Sequence, residues 1–238
     1  MKRVFKVKTI LLKFAGPLQS WGTRSNFETR HTDCYPSKSG VIGLIAASMG
    51  LKRDSSDIKA LNDIDFAVRI DQPGNLIRDY HTAKKYKKTG DLDRTYVTNR
   101  YYLEDAVFVV AISQTEDLVD KILTALKQPY YQAYMGRRAL PLPADFIMGV
   151  YDGDAISCLK DCPWQAASWY HKTPVKKLTA YADSHLVDQG QKNLRKDGVE
   201  SFSQKNRSFS FRYETRFEII LPAADERPDH DAFSALGG

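Results

Sequence analysis

The sequence is short of the features that mark several common protein classes. It has three cysteines, Cys34, Cys158 and Cys162. An odd, sparse set is not a disulfide framework. Cys158 and Cys162 stand four apart with no second Cys or His pair at ligand spacing, which argues against a zinc site. Reduced thiols are expected. Long hydrophobic runs are also lacking. The apolar stretch after Met1-Lys2-Arg3 is cut by Lys6, Lys8 and Lys13, so no signal-peptide core forms. No apolar run approaches transmembrane length. A cytoplasmic protein without membrane contact is the expectation. Catalytic signatures are missing as well: there is no H-E-x-x-H, no G-x-S-x-G and no Rossmann glycine fingerprint. Asp and Glu are scattered, and no pair stands out for two-metal nuclease chemistry. No metal and no cofactor is expected. Solenoid repeats and low-complexity runs are absent too.

What is present is a basic, globular composition. The 238 residues are 42% hydrophobic and 27% charged, with 35 Lys and Arg against 29 Asp and Glu. The net charge is +6 and the pI about 9.1. A basic balance favours polyanion partners, because each Lys or Arg that neutralises a phosphate releases condensed counterions. Where the charges sit decides whether this is more than ordinary solubility.

Residues 4–14 are rich in β-branched and aromatic types and predict a strand ended by Gly16-Pro17. Residues 20–37 read as a long, polar, basic loop carrying Trp21, Phe27 and Tyr35. Ser37 or Ser39 caps a helix that runs to Gly50 and is apolar almost all round, hence buried. Residues 64–71 and 105–113 predict strands, and 145–151 a further one. Between them, 115–127 is an amphipathic helix with Leu118, Ile122, Leu123 and Leu126 on one face, Thr115 as cap and two acids in its first turn. The order strand, helix, strand, strand, helix, strand is the split βαβ pattern of an α+β, ferredoxin-like domain. Insertions at 20–37 and 74–104 interrupt it. Beyond about residue 155 the pattern weakens to short strand-like pieces, notably 173–182 and 208–221, and a polar tail begins at Pro222. The division expected is a domain over 1–155, a small β-rich part over 156–221 and a flexible tail over 222–238.

Four stretches can carry chemistry. The insertion at 74–104 holds Arg78, Lys84, Lys85, Lys87, Lys88, Arg94 and Arg100 among Tyr80, Tyr86, Tyr96, Tyr101 and Tyr102. Gly90-Asp91 marks a turn, so it predicts a β-hairpin. Basic residues interleaved with aromatics grip phosphates while stacking on bases. The bland alternative is a solvated edge hairpin, charged against aggregation. The second stretch, Tyr35 to Gly40, puts free backbone N–H groups and Lys38 at a helix start, where an anion is attracted. It lacks the spaced first glycine of a P-loop, and a simple capped helix is its ordinary reading. In the third, Gly136-Arg137-Arg138, the glycine lets a ligand backbone approach closely and the arginines fit phosphate oxygens bidentately. A loop turn with two surface arginines is the plainer account. The fourth, Arg78 to Thr82, sets His81 beside Tyr80 and near Lys84. A metal-independent ribonuclease can use His as base for the 2′-hydroxyl and Lys for the developing charge, although a lone His is more often structural.

Together these stretches resemble a known family. Leu11 to Gly22 (LLKFAGPLQSWG), Tyr35 to Gly50 (YPSKSGVIGLIAASMG), Leu76 to Thr82 (LIRDYHT) and Pro129 to Leu142 (PYYQAYMGRRALPL) stand in the order found in the fifth Cas family. This is a RAMP-type family of CRISPR proteins, and the likeness is to its CasD type, from the type I-E Cascade complex. Phe209 to Phe217 matches more loosely. The resemblance implies an RRM-related, ferredoxin-like domain with a β-hairpin thumb, here over about 83–102. It implies a subunit that caps one end of the complex and holds the 5′ handle of the CRISPR RNA (crRNA). Its neighbours would be the repeated backbone subunit and the large subunit, with target DNA met only through the complex. In this subtype another subunit cleaves the precursor RNA, whereas in subtype I-C the corresponding protein is itself the nuclease. A non-catalytic RNA-binding role is therefore expected, with the endoribonuclease as alternative and a protein-only scaffold as a third reading. Carried over residue by residue, the RNA-binding set begins with Trp21, Arg24 and Arg30 in the basic loop and Ser37, Lys38 and Ser39 at the helix start. It continues with Arg78, His81 and Lys84 at the thumb and ends with Gly136, Arg137 and Arg138 in the glycine loop.

Overall fold

Strand β1 (Val7–Ala15) runs through the middle of the molecule because its residues alternate between two buried faces. Ile10, Leu12 and Phe14 point to one side and Leu11 to the other. The computed structural model describes residues 6–23, 28–170 and 175–221. Arg24, Phe27, the first residues of the 4–14 and 173–182 stretches and the polar tail 222–238 lie outside them.

Short strand β2 (Leu18–Gln19) comes next, and β3 (Thr29–Arg30) interrupts the stretch 20–37 that reads as loop in the sequence. Helix α1 (Lys38–Ser48) follows, capped by Ser37, whose hydroxyl accepts from the Gly40 N–H at 3.2 Å. Gly50 ends the helix at φ +74, a left-handed conformation suited to glycine. The following Tyr130 and Tyr131 segment donates two backbone N–H bonds to the last carbonyls, those of Ser48 and Ala47. A short helix α2 (Asp57–Ala60) leads into β4 (Asp65–Gln72). The hairpin is β5 (Asn75–Tyr86) and β6 (Leu92–Glu104), longer than the thumb expected over 83–102. It turns where expected, with Gly90 at φ +91 and the Lys87 N–H donating to Asp91 O at 2.8 Å. Then come β7 (Val107–Thr115), α3 (Glu116–Lys127), β8 (Ile147–Asp152) and α4 (Ala155–Asp161). Thr115 sits at the start of α3 but makes no side-chain cap bond, and Val119 rather than Leu118 joins Ile122 and Leu126 as its most buried face. The chain closes with β9 (Lys177–Asp183), β10 (Gln191–Ser201) and β11 (Ser208–Ile220).

The fold is mixed α/β. Seven strands form an antiparallel sheet in the order β10-β11-β9-β4-β7-β1-β8. Helices α1 and α3 cover one face over Phe66, Phe108 and their neighbours. Helix α4 covers the other over Ala67, Val109 and Ala111. In a second sheet, β6 pairs with β5 along one edge and with β2 and β3 along the other. No helix among the described residues is long and apolar enough to cross a membrane.

Arg69 lies fully inside the main sheet, yet every direction of its guanidinium is used. It donates to the Asp71 carboxylate at 2.7 and 2.8 Å, and to the carbonyls of Leu159, Cys162 and Pro163. This pins the end of α4 to β4. Cys158 lies within that helix and Cys162 caps its end, and burial pushes both thiols above their ordinary range, while Cys34 is exposed. Only the thiolate reacts quickly. Iodoacetamide is expected to label Cys34 in the folded protein, and Cys158 and Cys162 only after denaturation, as counted by mass spectrometry.

Candidate nucleic-acid interface

The hairpin register sorts its side chains onto two faces, because residues directly opposite in an antiparallel pair share a side. Arg78 opposes Tyr101, Tyr80 opposes Asn99, and Lys84 opposes Thr95 on one face. Tyr80 is 64% exposed on that face, and His31 stacks on Tyr101 with ring centroids 5.4 Å apart. The other face carries Asp79 opposite Arg100 and His81 opposite Thr98. Strand β3 adds Arg30 beside Arg100 in parallel register, so this face gathers two adjacent arginines at the hairpin base. His81 is half-buried, with Nδ1 3.4 Å from Thr98 Oγ1. It therefore points away from Tyr80 and Lys84.

The glycine loop has a different use from the one its sequence suggests. Gly136 has φ +83, and a Cβ there would lie 1.5 Å from the Ser20 carbonyl oxygen. The close approach is to this chain's own backbone, not to a ligand. Arg137 is likewise turned inward. Its Nη2 donates to the carbonyls of Arg30 at 2.8 Å and Tyr101 at 3.0 Å, and its guanidinium lies 4.2 Å over the Tyr102 ring. It clamps the loop to β3 and β6, and its Nη1 is buried without a partner. Arg138 is the exposed cation of the pair.

Four further residues of the expected set are buried. Trp21 is 2% exposed, packed edge-on against Phe14 at 4.9 Å, and donates its Nε1–H to Gln19 Oε1 at 3.0 Å. No ring face is left for a base. Ser37, Lys38 and Ser39 are also buried. The start of α1 does hold an anion, but an internal one: the Lys38 N–H donates to Asp197 Oδ2 at 2.9 Å. Lys38 Nζ is spent on Asp183 at 2.9 Å and the Asn62 carbonyl at 2.7 Å. Arg195 and Arg212 complete a buried ionic network with Asp183, Asp197 and Glu214. Tyr35 donates to Glu214 at 2.6 Å beneath the Arg195 guanidinium, and burial pushes its phenol far above the ordinary range. This network fastens α1 to the last strands. Each of its cations is already matched by a carboxylate of this chain.

The family model described as "CRISPR-associated protein (Cas_Cas5)" matches residues 9–221. The chain belongs to the Cas5 family of CRISPR-associated proteins. The CasD-type resemblance is shown as well. The chain is 35% identical over 156 residues to the CRISPR system Cascade subunit CasD of Escherichia coli (strain K12), covering 59% of this chain and 70% of that protein. A solved structure described as a CRISPR RNA-guided surveillance complex contains a chain 31% identical to this one. It superposes with a TM-score of 0.76, over 90% of this chain and 91% of that one. A crystal structure described as that of a Cas protein is 29% identical, with a TM-score of 0.62, over 90% and 95% of the two chains.

Of the RNA-binding set expected for this Cas5-family chain, Arg30, Arg78, Lys84 and Arg138 are exposed around the hairpin and its base. Arg24 lies outside the described residues. Sequence reasoning passed over Arg53 and Arg207, exposed single arginines in unrelated segments; partial burial, and then the charges of Arg53 and Arg30, hold the Arg207 guanidinium below its ordinary range. No local pattern announces them. Among the described residues no group of three or more His, Cys, Asp or Glu side chains is arranged to hold a metal ion.

Proposed function

We propose that this chain is a non-catalytic RNA-binding subunit of a type I-E Cascade complex, capping one end of the assembly and holding the 5′ handle of its crRNA. The observation that carries this reading is the hairpin. One face presents the exposed Tyr80 between Arg78 and Lys84, a stacking surface flanked by cations. The strand order β8-β1-β7-β4 with α1 and α3 on one side supports a ferredoxin-like, RRM-related core. Residues 1–155 would carry that core and the thumb, and 156–221 would add the outer strands. Arg30, beside Arg100 on the opposite face, and Arg138 add exposed cations near the hairpin base. The name of the Escherichia coli relative supports the Cascade assignment. The backbone subunit and the large subunit would be the protein neighbours, and target DNA would be reached through the complex, in the cytoplasm.

The endoribonuclease alternative is weakened by the register. His81 lies on the opposite face from Tyr80 and Lys84, so the three cannot converge on one scissile phosphate. Repeat RNA incubated with the full-length protein in EDTA is expected to stay intact. Site-specific cleavage abolished by His81→Ala would overturn the non-catalytic reading. In filter binding with handle RNA, Tyr80→Ala is expected to lose about 1–3 kcal/mol if one base stacks there. Unchanged affinity in that variant and in Lys84→Glu would remove the hairpin face from the site. Wild-type protein that retains no RNA would leave a protein-only scaffold.

A further inference from the structure

Strand β11 outruns its neighbour β9. The pairing of the two ends at Asp183, opposite Glu214, so Ser208 to Tyr213 have only β10 beside them. Side chains alternate along this stretch. Arg212 and Glu214 turn into the ionic network, and Phe211 and Tyr213 turn away from it. Farther along the strand, at even steps from Tyr213, Phe217 and Ile219 pack in the core covered by α4. That cover does not reach Tyr213 and Phe211, which are 62% and 60% exposed. Leu194 of β10 stands directly opposite Tyr213 and is 55% exposed. The register therefore places three large apolar side chains on one bare ledge.

Two lysines flank the ledge. Lys196 Nζ lies over the Phe211 ring at 5.6 Å, and Lys192 is opposite Thr215, one alternation from Leu194. Both are exposed, and neither has a carboxylate partner among the described residues. Phe211, Tyr213 and Lys192 also line a groove of about 950 Å³ together with Ala60 and Asp63. The other lysines and the arginine that line it are already matched: Lys38 and Arg212 by Asp183, and Lys59 by Glu200 at 2.6 Å.

Large apolar side chains gathered on a surface and rimmed by charge mark an interaction site. The chemistry around them selects the occupant. Asp63, Asp183 and Glu200 line the groove and oppose a polyanion, and Leu194 has no ring face for a base. The unmatched charges on the ledge itself are cations, so the complementary surface is apolar and acidic.

We propose that Leu194, Phe211 and Tyr213, with Lys192 and Lys196, form a docking ledge for a protein segment of another Cascade subunit. That segment seats an apolar side chain in the groove and sets carboxylates against the two lysines. The inference rests on the Cascade reading. It uses none of the residues expected to hold RNA, and it gives the free end of the β10–β11 ribbon a function.

The test uses the complex purified through a tag on the full-length chain, co-expressed with the other subunits of its system. Phe211→benzoylphenylalanine and, in a separate protein, Tyr213→benzoylphenylalanine place a photoreactive ring on the ledge. Irradiation is expected to join the ledge to another protein subunit, and mass spectrometry of the digested adduct should find an apolar residue flanked by Asp or Glu. Adding Lys192→Glu/Lys196→Glu should lower the adduct yield at least about tenfold, because like charges then face each other. Both lysines are exposed, so this variant should melt with the wild type. A complex that assembles but yields no adduct at either position, or an adduct that the lysine reversal leaves undiminished, would overturn the ledge and leave the Cascade reading standing. An adduct to RNA would assign this face to nucleic acid. An adduct to residues 222–238 of this chain, which hold Asp225, Glu226, Asp229 and Asp231, would assign it to the chain's own tail. Either result overturns the proposal. If no other subunit co-purifies with the wild-type chain, the ledge and the Cascade reading fall together.

Discussion

Asp197→Ala is expected to cost about 3–5 kcal/mol of folding stability, read as a lower urea midpoint with the slope unchanged. The Asp197 carboxylate is fully buried and serves three elements at once. Its Oδ1 accepts from Arg212 Nε at 2.6 Å, and its Oδ2 from Arg212 Nη2 at 3.1 Å and from the Lys38 N–H at 2.9 Å. Arg195 Nε stands 3.4 Å away. Alanine would leave two buried guanidinium groups short of an acceptor and the first turn of α1 without its anion. Removing one partner of a buried ionic group is costly because the others stay charged and dry. Asp197→Asn keeps the shape and one acceptor oxygen, so it should fall between wild type and alanine. An alanine variant as stable as the wild type would mean that water reaches this network freely.

Gly136→Ala should be nearly as damaging, at about 3 kcal/mol or more, and for a different reason. Alanine at φ +83 is strained, and its Cβ would overlap the Ser20 carbonyl at 1.5 Å. The clash is backbone to side chain, so no rotamer relieves it. The loop must retreat, which breaks the Ser20 N–H bond to the Met135 carbonyl at 3.2 Å and unseats Arg137 from Arg30 and Tyr101. Both the thermal midpoint and RNA affinity should fall, since the clamp that holds β3 against β6 is lost. Arg138→Glu, two residues on, should weaken RNA binding without moving the midpoint. That pair of outcomes separates the loop's structural glycine from its exposed cation.

The parts of the fold written in apolar pattern were legible. The alternation of β1, β4 and β7, the near-continuous apolar surface of α1 with Gly50 behind it, and the Gly90-Asp91 reversal are all local signals. Strand β10 was not legible. Gln191–Ser201 holds only Leu194 and Val199 as large apolar residues, and its inward anchor is Asp197. Its burial is ionic, and hydrophobic periodicity cannot register an ion pair whose other half lies on another strand. The site residues fared likewise. The start of α1 does attract an anion, but the anion arrives 159 residues later in the same chain. Gly136 does allow close approach, but by Ser20. Trp21 in a polar loop resembles a stacking residue until Gln19 is seen to give its indole a buried acceptor. The hairpin and its exposed cations, with Tyr80 and Tyr86, lie where the local pattern puts them, because an exposed face needs no distant partner.

The ionic seat under α1 also sets a timetable. Lys38 waits for Asp183, 145 residues downstream, and Tyr35 for Glu214, 179 residues downstream. At ordinary synthesis rates the wait for Asp197 lasts roughly 10–30 s. Throughout that interval the first helix has emerged with its cation and its leading N–H group unanswered, while the strands that answer them do not yet exist. Local pairs such as the hairpin can close early, but the non-local seat cannot. The last-made strands thus complete the ionic seat, and a chain cut short before β10 would keep the apolar packing of its first helix but lack the anion at its start.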